Sequence, residues 1–180
     1  MRESTKTNLI RALALGGVIA ISVFVFSVRD QAEELAVFGY PGIFLLALLS
    51  NATVLLPAPG LAVVFTMGSV FNPLFVGLAA GAGGTFGELS GYMAGFSGQA
   101  VIERADVYAR MTKWMSKNGN LTVLLLGLIP NPFFDLTGIA AGALKMPLPR
   151  FLFWAWIGIT IKMTLFAYLG SSALKWLFEV

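Results

Sequence analysis

Three ionisable side chains, Glu88, Asp135 and Lys162, stand inside long apolar stretches of this sequence. A charged group at the centre of a bilayer costs ~2.5–3.5 kcal/mol on insertion scales, so each needs a partner, water or a function. Such carboxylates can exchange protons or bind an ammonium group, and a lysine supplies positive charge. The alternative is structural: a buried ion pair, with Asp135 as the cap of the half-helix that follows it.

Two apolar stretches are interrupted by proline pairs, Pro57 with Pro59 and Pro130 with Pro132. Proline removes a backbone donor and clashes with the preceding turn, so a straight spanning helix would leave unpaired carbonyls in hydrocarbon. Irregular backbone at that depth survives only where protein buries it or where it lines a polar cavity. A pair of such breaks in corresponding halves of a membrane protein predicts a transporter-like binding site.

The composition defines the class of protein: 57% of residues are hydrophobic, 12% are charged, and the mean hydropathy is +0.82. These values predict a single-domain integral membrane protein with no soluble catalytic module, so we expect no enzyme activity. The chain has no histidine and no cysteine, which excludes thiol nucleophiles, disulfides and His-based catalysis. We expect no cofactor and no metal. The net charge of +3 lies at segment ends and indicates topology, not nucleic-acid binding.

The apolar pattern predicts an all-α polytopic membrane protein with three spanning helices, two opposed re-entrant helical hairpins and one interfacial amphipathic helix. In chain order these are the spanning helix Leu9–Val28, the hairpin Tyr40–Phe71, the spanning helix Leu74–Gly98, the interfacial helix Gln99–Asn120, the hairpin Leu121–Leu144 and the spanning helix Phe151–Phe178. A cleaved signal peptide is the alternative for the first of these, but its apolar run is long and no small-x-small site closes it.

The interfacial helix is expected to set topology and to face lipid. Its apolar residues Val107, Met111, Trp114 and Met115 recur at helical spacing among basic residues. A dedicated partner site on this helix is the alternative.

Glycines recur every four residues in the second spanning helix, at Gly83, Gly87, Gly91 and Gly95. This spacing predicts one face on which another helix backbone approaches closely. A dinucleotide-binding loop is excluded because no strand precedes the glycines and their spacing is wrong.

The distribution of lysine and arginine decides the topology. The N-terminus, the interfacial helix and the Lys145–Arg150 segment are basic, whereas the segment Arg29–Glu34 is mainly acidic. If each hairpin returns to its own side, every basic segment and the N-terminus are cytoplasmic, in agreement with the positive-inside rule. The hairpins then enter from opposite sides and their tips meet near the midplane, which is an inverted-repeat arrangement.

Three motifs in this order resemble the VTT domain of the DedA superfamily, also called SNARE-associated Golgi proteins, over about Tyr40 to Gly170. They are Pro57-Ala58-Pro59-Gly60, Gly87-Glu88-Leu89-Ser90-Gly91-Tyr92-Met93-Ala94-Gly95, and Ile129-Pro130-Asn131-Pro132 continuing through Asp135, Gly138, Ala141 and Gly142. The resemblance implies a lipid-translocating role in a prokaryotic inner membrane. Bacterial relatives are linked to recycling of undecaprenyl phosphate and aminophospholipids, and eukaryotic relatives to lipid scrambling.

The chain departs from the family pattern at four positions. Asn51 and Leu61 stand where many relatives carry acidic residues, and Gly127 and Phe133 stand where relatives carry arginines beside the second proline motif. The resemblance therefore implies a compact, divergent member whose substrate need not be undecaprenyl phosphate.

The resulting hypothesis is a flippase- or scramblase-like protein that moves a phospholipid or a polyprenyl-phosphate-like amphiphile between leaflets. Half-helix N-termini at the hairpin tips would bind the headgroup. The expected substrate-binding residues are Asn51, Pro57, Pro59, Gly60, Glu88, Tyr92, Pro130, Asn131, Pro132, Asp135, Gly138 and Lys162. Membrane lipids are the expected partners, nucleic acid is not, and a homo-oligomer is left open. A secondary transporter of a small solute or ion and a non-transporting membrane-organising protein are the alternatives.

Overall fold

The computed structural model describes residues 38–52, 60–97, 105–130 and 134–178, and every regular element within them is a helix. The predicted first spanning helix, Leu9–Val28, lies outside the described residues. The helices are α1 (Gly39–Ala52), α2 (Gly60–Val70), α3 (Pro73–Gly87), α4 (Leu89–Phe96), α5 (Ala105–Leu128), α6 (Phe134–Ala143) and α7 (Leu148–Phe178).

The described helices end and begin on either side of both proline pairs. Helix α1 ends before Pro57 and α2 begins after Pro59, while α5 ends before Pro130 and α6 begins after Pro132. A proline inside a helix removes a hydrogen bond and clashes with the preceding turn, so both interruptions were predictable from residue type alone.

Helix α7 is the long element against which α2, α3 and α5 pack. Its 31 residues extend about 46 Å, and Leu148–Ala173 is long and apolar enough to cross a bilayer. The side chains of Phe151 and Ile159 are fully buried between α7 and its neighbours. The helix begins three residues before the predicted Phe151, because Pro149 is tolerated in a first turn, where backbone donors need no helical partner.

The predicted helix Leu74–Gly98 is observed as α3 and α4, separated by a single turn residue, Glu88. Helical hydrogen bonds continue through it: the N–H of Glu88 donates to the carbonyl of Gly84 at 3.1 Å, and the N–H of Tyr92 donates to the carbonyl of Glu88 at 3.0 Å. The two helices therefore form one nearly continuous rod. Asn72 caps its start by accepting from the N–H of Leu74, with Pro73 in the first turn.

The glycine ladder packs against protein, as predicted. A Cβ atom added at Gly87 would lie 2.6 Å from the carbonyl oxygen of Leu48 in α1, and one at Gly95 would lie 2.7 Å from the carbonyl carbon of Ile139 in α6. Such distances leave no room for any side chain. Gly83 and Gly87 thus face α1, and Gly95 faces α6.

A second pair of α3 glycines faces α7. Gly77 lies against Thr164, and Gly81 lies against Thr160. The Oγ1 atom of Thr160 is buried and has no hydrogen-bond partner within the described part of the chain. Close approach of glycine Cα to a threonine oxygen permits weak Cα–H···O contacts, which are typical of tight helix–helix interfaces.

The predicted interfacial helix and the first arm of the second hairpin are joined in α5, which is kinked at Asn118 (φ −152°, ψ 79°). The expectation of a lipid-facing apolar side is wrong for two residues: Met111 and Met115 are 3% and 5% exposed, buried against protein. Trp114 remains exposed. The side chain of Val107 lies outside the described set. Periodicity identifies an apolar face but not what covers it.

Candidate functional site

Helices α1 and α2 form an antiparallel hairpin, hairpin one. At its open end the ring of Tyr40 lies 5.5 Å from that of Phe71 and 5.8 Å from that of Phe75. At its closed end Gly60 faces Ser50, with 3.4 Å between an added Cβ and the Ser50 side chain. The chain therefore returns to the level at which it began. The connecting residues 53–59, with the predicted site residues Pro57 and Pro59, lie outside the described chain.

The second part of α5 and helix α6 form hairpin two. Its open end is near the start of α7, where Gly119 lies beside Met146. Further along α5, the carbonyl of Leu124 and the backbone of Gly127 lie against Gly158 of α7. Helix α6 then returns alongside α4, so that the hairpin enters from the N-terminal end of α7.

Hairpin one enters from the other end of α7. Gly68 of α2 lies against Ala167, and Gly170 lies against Phe65. The two hairpins are therefore opposed.

The closed end of hairpin one lies at the middle of α7. A Cβ atom added at Gly84 would be 3.2 Å from Nδ2 of Asn51 and 3.3 Å from the side chain of Ile159, which is near the centre of Leu148–Ala173. The Asn51 Nδ2 donates to the carbonyl of Ala47 at 2.8 Å. Just beyond, the hydroxyl of Ser90 lies 3.0 Å from the carbonyl oxygen of Gly87 and 3.1 Å from that of Ala52, and its single proton is shared between these two acceptors.

Glu88 lies where the two hairpins approach each other. Its side chain is 1% exposed. Gly138 of α6 faces it, since a Cβ atom added there would be 3.4 Å from Oε2 and 3.4 Å from the Glu88 carbonyl oxygen. A Cβ atom at 138 would be in ordinary van der Waals contact with both groups, whereas a longer side chain would have to displace them. The small residue at 138 thus lets the α6 backbone lie next to a buried carboxylate.

Lys162 is the second buried ionisable residue, at 8% exposure. It is four residues past Gly158 and therefore on the same face of α7, one turn further along. Gly158 packs on the α5 arm of hairpin two. Lys162 thus lies near the middle of α7, on the side of hairpin two.

Tyr92 is buried one turn after Glu88. Its hydroxyl donates to the carbonyl of Met146 at 2.6 Å, and its ring stacks on Phe151 with centroids 5.2 Å apart. These contacts join α4 to the loop before α7, at the open end of hairpin two. Its predicted role in substrate binding stays a prediction, and the described contacts are structural.

The structure brings four predicted site residues together: Asn51, Glu88, Tyr92 and Gly138. Gly60 begins α2 at the closed end of hairpin one, and Pro130 is exposed just after α5. The predicted residues Asn131 and Pro132 lie outside the described ranges.

Asp135 was expected to cap a half-helix beginning at Leu136. Helix α6 begins at Phe134, so Asp135 is inside the first turn and not at the cap. Its side chain is outside the described set.

Ser90 is a further member of this site that was not predicted from the sequence. Its hydroxyl lies within hydrogen-bond distance of the carbonyl of Ala52, the last described residue of α1. The signal was a hydroxyl among glycines two residues after Glu88 in a helix with little other polarity. No group of three or more acidic side chains that could hold a metal ion occurs among the described residues.

The family model of the VTT domain matches residues 58–172. The chain belongs to the VTT domain family. The match covers α2 through most of α7 and includes Glu88, Asp135 and Lys162, whereas α1 and Asn51 precede it. The VTT domain occurs in membrane proteins, in agreement with the apolar length of α7. No curated protein and no solved structure matches the chain.

Proposed function

We propose that this VTT-domain protein is a lipid translocase that moves a phospholipid or polyprenyl-phosphate-like amphiphile between leaflets. The observation that supports it best is the meeting of two opposed hairpins beside Glu88, at the middle of an apolar helix of spanning length. Opposed broken helices around a midplane polar site are the arrangement that transport proteins use for ionic substrates.

The proposed path has a polar part and an apolar part. Glu88 and Lys162 supply both signs of charge near the middle of the fold, which suits a headgroup that carries a phosphate and an ammonium group. An apolar groove of about 280 Å³ lies on the outer face between α3 and α7, lined by Phe86, Phe153 and Trp156 among others. In a bilayer the acyl chains would stay along such a surface while the headgroup moves through the protein.

The proposed topology places both hairpins as re-entrant elements. With 14 and 11 residues, α1 and α2 are about 21 and 16 Å long, too short to cross a hydrocarbon core of ~30 Å. The rod formed by α3 and α4, together with α7 and the segment Leu9–Val28, would span the membrane. The N-terminus would be cytoplasmic, in a prokaryotic inner membrane.

Impermeant-thiol labelling tests this topology, because the chain has no native cysteine. Single cysteines at Ser4 and Lys117 should react from one side, and those at Gln31 and Val70 from the other. A permeant reagent that labels all four is the control. Reaction of Ser4 and Lys117 from opposite sides, or of Gln31 and Val70 from opposite sides, would contradict the hairpin arrangement.

Reconstituted vesicles test the function itself. Fluorescent phospholipids in the inner leaflet should become accessible to an impermeant quencher much faster with protein than in empty vesicles, with no uptake of a small solute. Solute uptake without lipid movement would contradict the proposal and would indicate a secondary transporter. If the protein moves neither lipid nor solute although its melting curve shows that it is folded, a membrane-organising role remains.

A further inference from the structure

A second polar site lies at the end of the fold where hairpin two opens. It is a cleft of about 310 Å³ between the kinked part of α5, the end of α6 and the start of α7. Its lining includes Met115, Ser116 and Asn120 of α5 together with Lys145, Met146 and Arg150. It lies at the open end of hairpin two, whereas Glu88 lies at the level where the hairpins meet. Tyr92 connects the two regions through its hydrogen bond to the Met146 carbonyl, but the charged groups of the cleft are not those of the Glu88 site.

The cleft is electropositive and has hydrogen-bonding groups. Lys145 and Arg150 contribute two positive charges, and Ser116 and Asn120 contribute a hydroxyl and an amide. Among the described residues that line it there is no carboxylate to neutralise the cations. Its floor is apolar, since Met115 and Met146 are buried. The end of α6 and the start of α7 both border the cleft, so their dipoles oppose each other there and the positive field comes from Lys145 and Arg150.

The backbone at Lys145 is unusual for a lysine. Helix α6 ends in a Schellman turn, in which Met146 N–H donates to the Ala141 carbonyl and Lys145 N–H to the Gly142 carbonyl, both at 2.9 Å. Lys145 has φ 54°, the left-handed conformation for which glycine is favoured. The chain therefore carries a cation at a position where glycine would be more stable.

We infer that this cleft binds the phosphate of an anionic lipid headgroup at the membrane surface. Basic pockets between helices at the cytoplasmic surface are suited to anionic headgroups, and an arginine with a lysine matches phosphate charge and geometry. The exposed Leu144 and Leu148 at the cleft border would contact the first acyl carbons. This site does not depend on translocation, so failure of the vesicle assay leaves it open to its own test.

Native mass spectrometry of the full chain, released from detergent with dioleoylphosphatidylglycerol, measures this binding. The double variant Lys145→Gln/Arg150→Gln should bind the lipid about 30-fold more weakly. The matched control Arg110→Gln/Lys113→Gln removes the same two charge types from exposed positions of α5 outside the cleft, and should change the Kd less than about threefold. Equal losses in both variants would overturn the site in favour of general surface attraction.

Three further measurements identify the ligand and guard against misfolding. Dioleoylphosphatidylcholine should bind at least about tenfold more weakly than the anionic lipid, and similar binding would overturn recognition of net negative charge. Inorganic phosphate should not displace the lipid at phosphate concentrations at or below the lipid's Kd. Displacement at such concentrations would show that the cleft binds free phosphate and not a lipid.

Lys145→Gly should melt higher than the parent chain because it relieves the left-handed backbone, yet bind the anionic lipid more weakly. Unchanged lipid affinity in that stable variant would contradict the proposal.

Discussion

Replacement of Gly87 or Gly95 by leucine should prevent the VTT domain from folding. An added Cβ would be 2.6 Å from the Leu48 carbonyl oxygen in the first case and 2.7 Å from the Ile139 carbonyl carbon in the second. These obstacles are backbone atoms of α1 and α6, which cannot move away by changing rotamer. Even alanine should cost about 3 kcal/mol, the upper part of the usual range for overpacking.

The measurement is the yield of monodisperse protein in detergent and its melting temperature. Gly119→Ala is the matched control, because its nearest neighbours are flexible methionine atoms, Met115 Cγ at 3.5 Å and Met146 Sδ at 3.7 Å from an added Cβ. That variant should melt at or above the parent temperature, since alanine favours a helix over glycine. Normal melting of Gly87→Leu and Gly95→Leu would show that the ladder faces lipid.

Backbone features were the most predictable part of the fold. The breaks near Pro57 and Pro130 follow from one missing donor and one steric clash, so they need no knowledge of neighbouring helices. The close packing at Gly87 and Gly95 follows from spacing alone. Sequence could not show that these two glycines have different partners, α1 and α6, because that depends on where each hairpin lies.

Features that depend on tertiary contacts were less predictable. The periodicity of Met111 and Met115 identified an apolar face, but burial by protein or by lipid gives the same pattern. The site was found in part: Glu88 was identified by its charge in an apolar stretch, and Gly138 by the family resemblance. Ser90 was missed, because a lone hydroxyl in a helix most often bonds to its own backbone.

The left-handed backbone conformation of Lys145 is a feature that residue preferences alone do not predict. Glycine is the expected residue at such a helix end, so sequence alone gives no reason to place this turn at a lysine. Local rules fail most often where another requirement competes with stability, and here the competing requirement we propose is charge in the cleft.

The buried charges give the second large prediction: Glu88→Gln and Lys162→Met should each abolish lipid movement while leaving the fold nearly intact. Each substitution keeps the approximate size of the side chain and removes its charge. A translocation role needs the charge itself, to exchange a proton or to stabilise a headgroup of opposite sign. Lipid movement in vesicles should therefore decrease at least about tenfold in either variant, as expected when a charge is lost from a low-dielectric site.

A structural ion pair predicts a different pattern for the same variants. Removal of one member would leave the other charged in a low-dielectric interior, at a cost of about 3–5 kcal/mol, and the double variant would regain much of that stability. Melting temperature and lipid movement should thus be measured together for both singles and for Glu88→Gln/Lys162→Met. Lys113→Met, which removes an exposed charge from α5, is the control and should keep full activity.

The combination of the two readouts decides between the roles. If the charges act on the substrate, the double variant is as inactive as the singles, because restoring stability does not restore a group that contacts the headgroup. If they only neutralise each other, the singles melt early and the double variant regains both stability and lipid movement. That second pattern would remove Glu88 and Lys162 from the proposed path. The polar groups of the path would then have to be others, such as Asn51 at the tip of hairpin one and Ser90 beside it in α4.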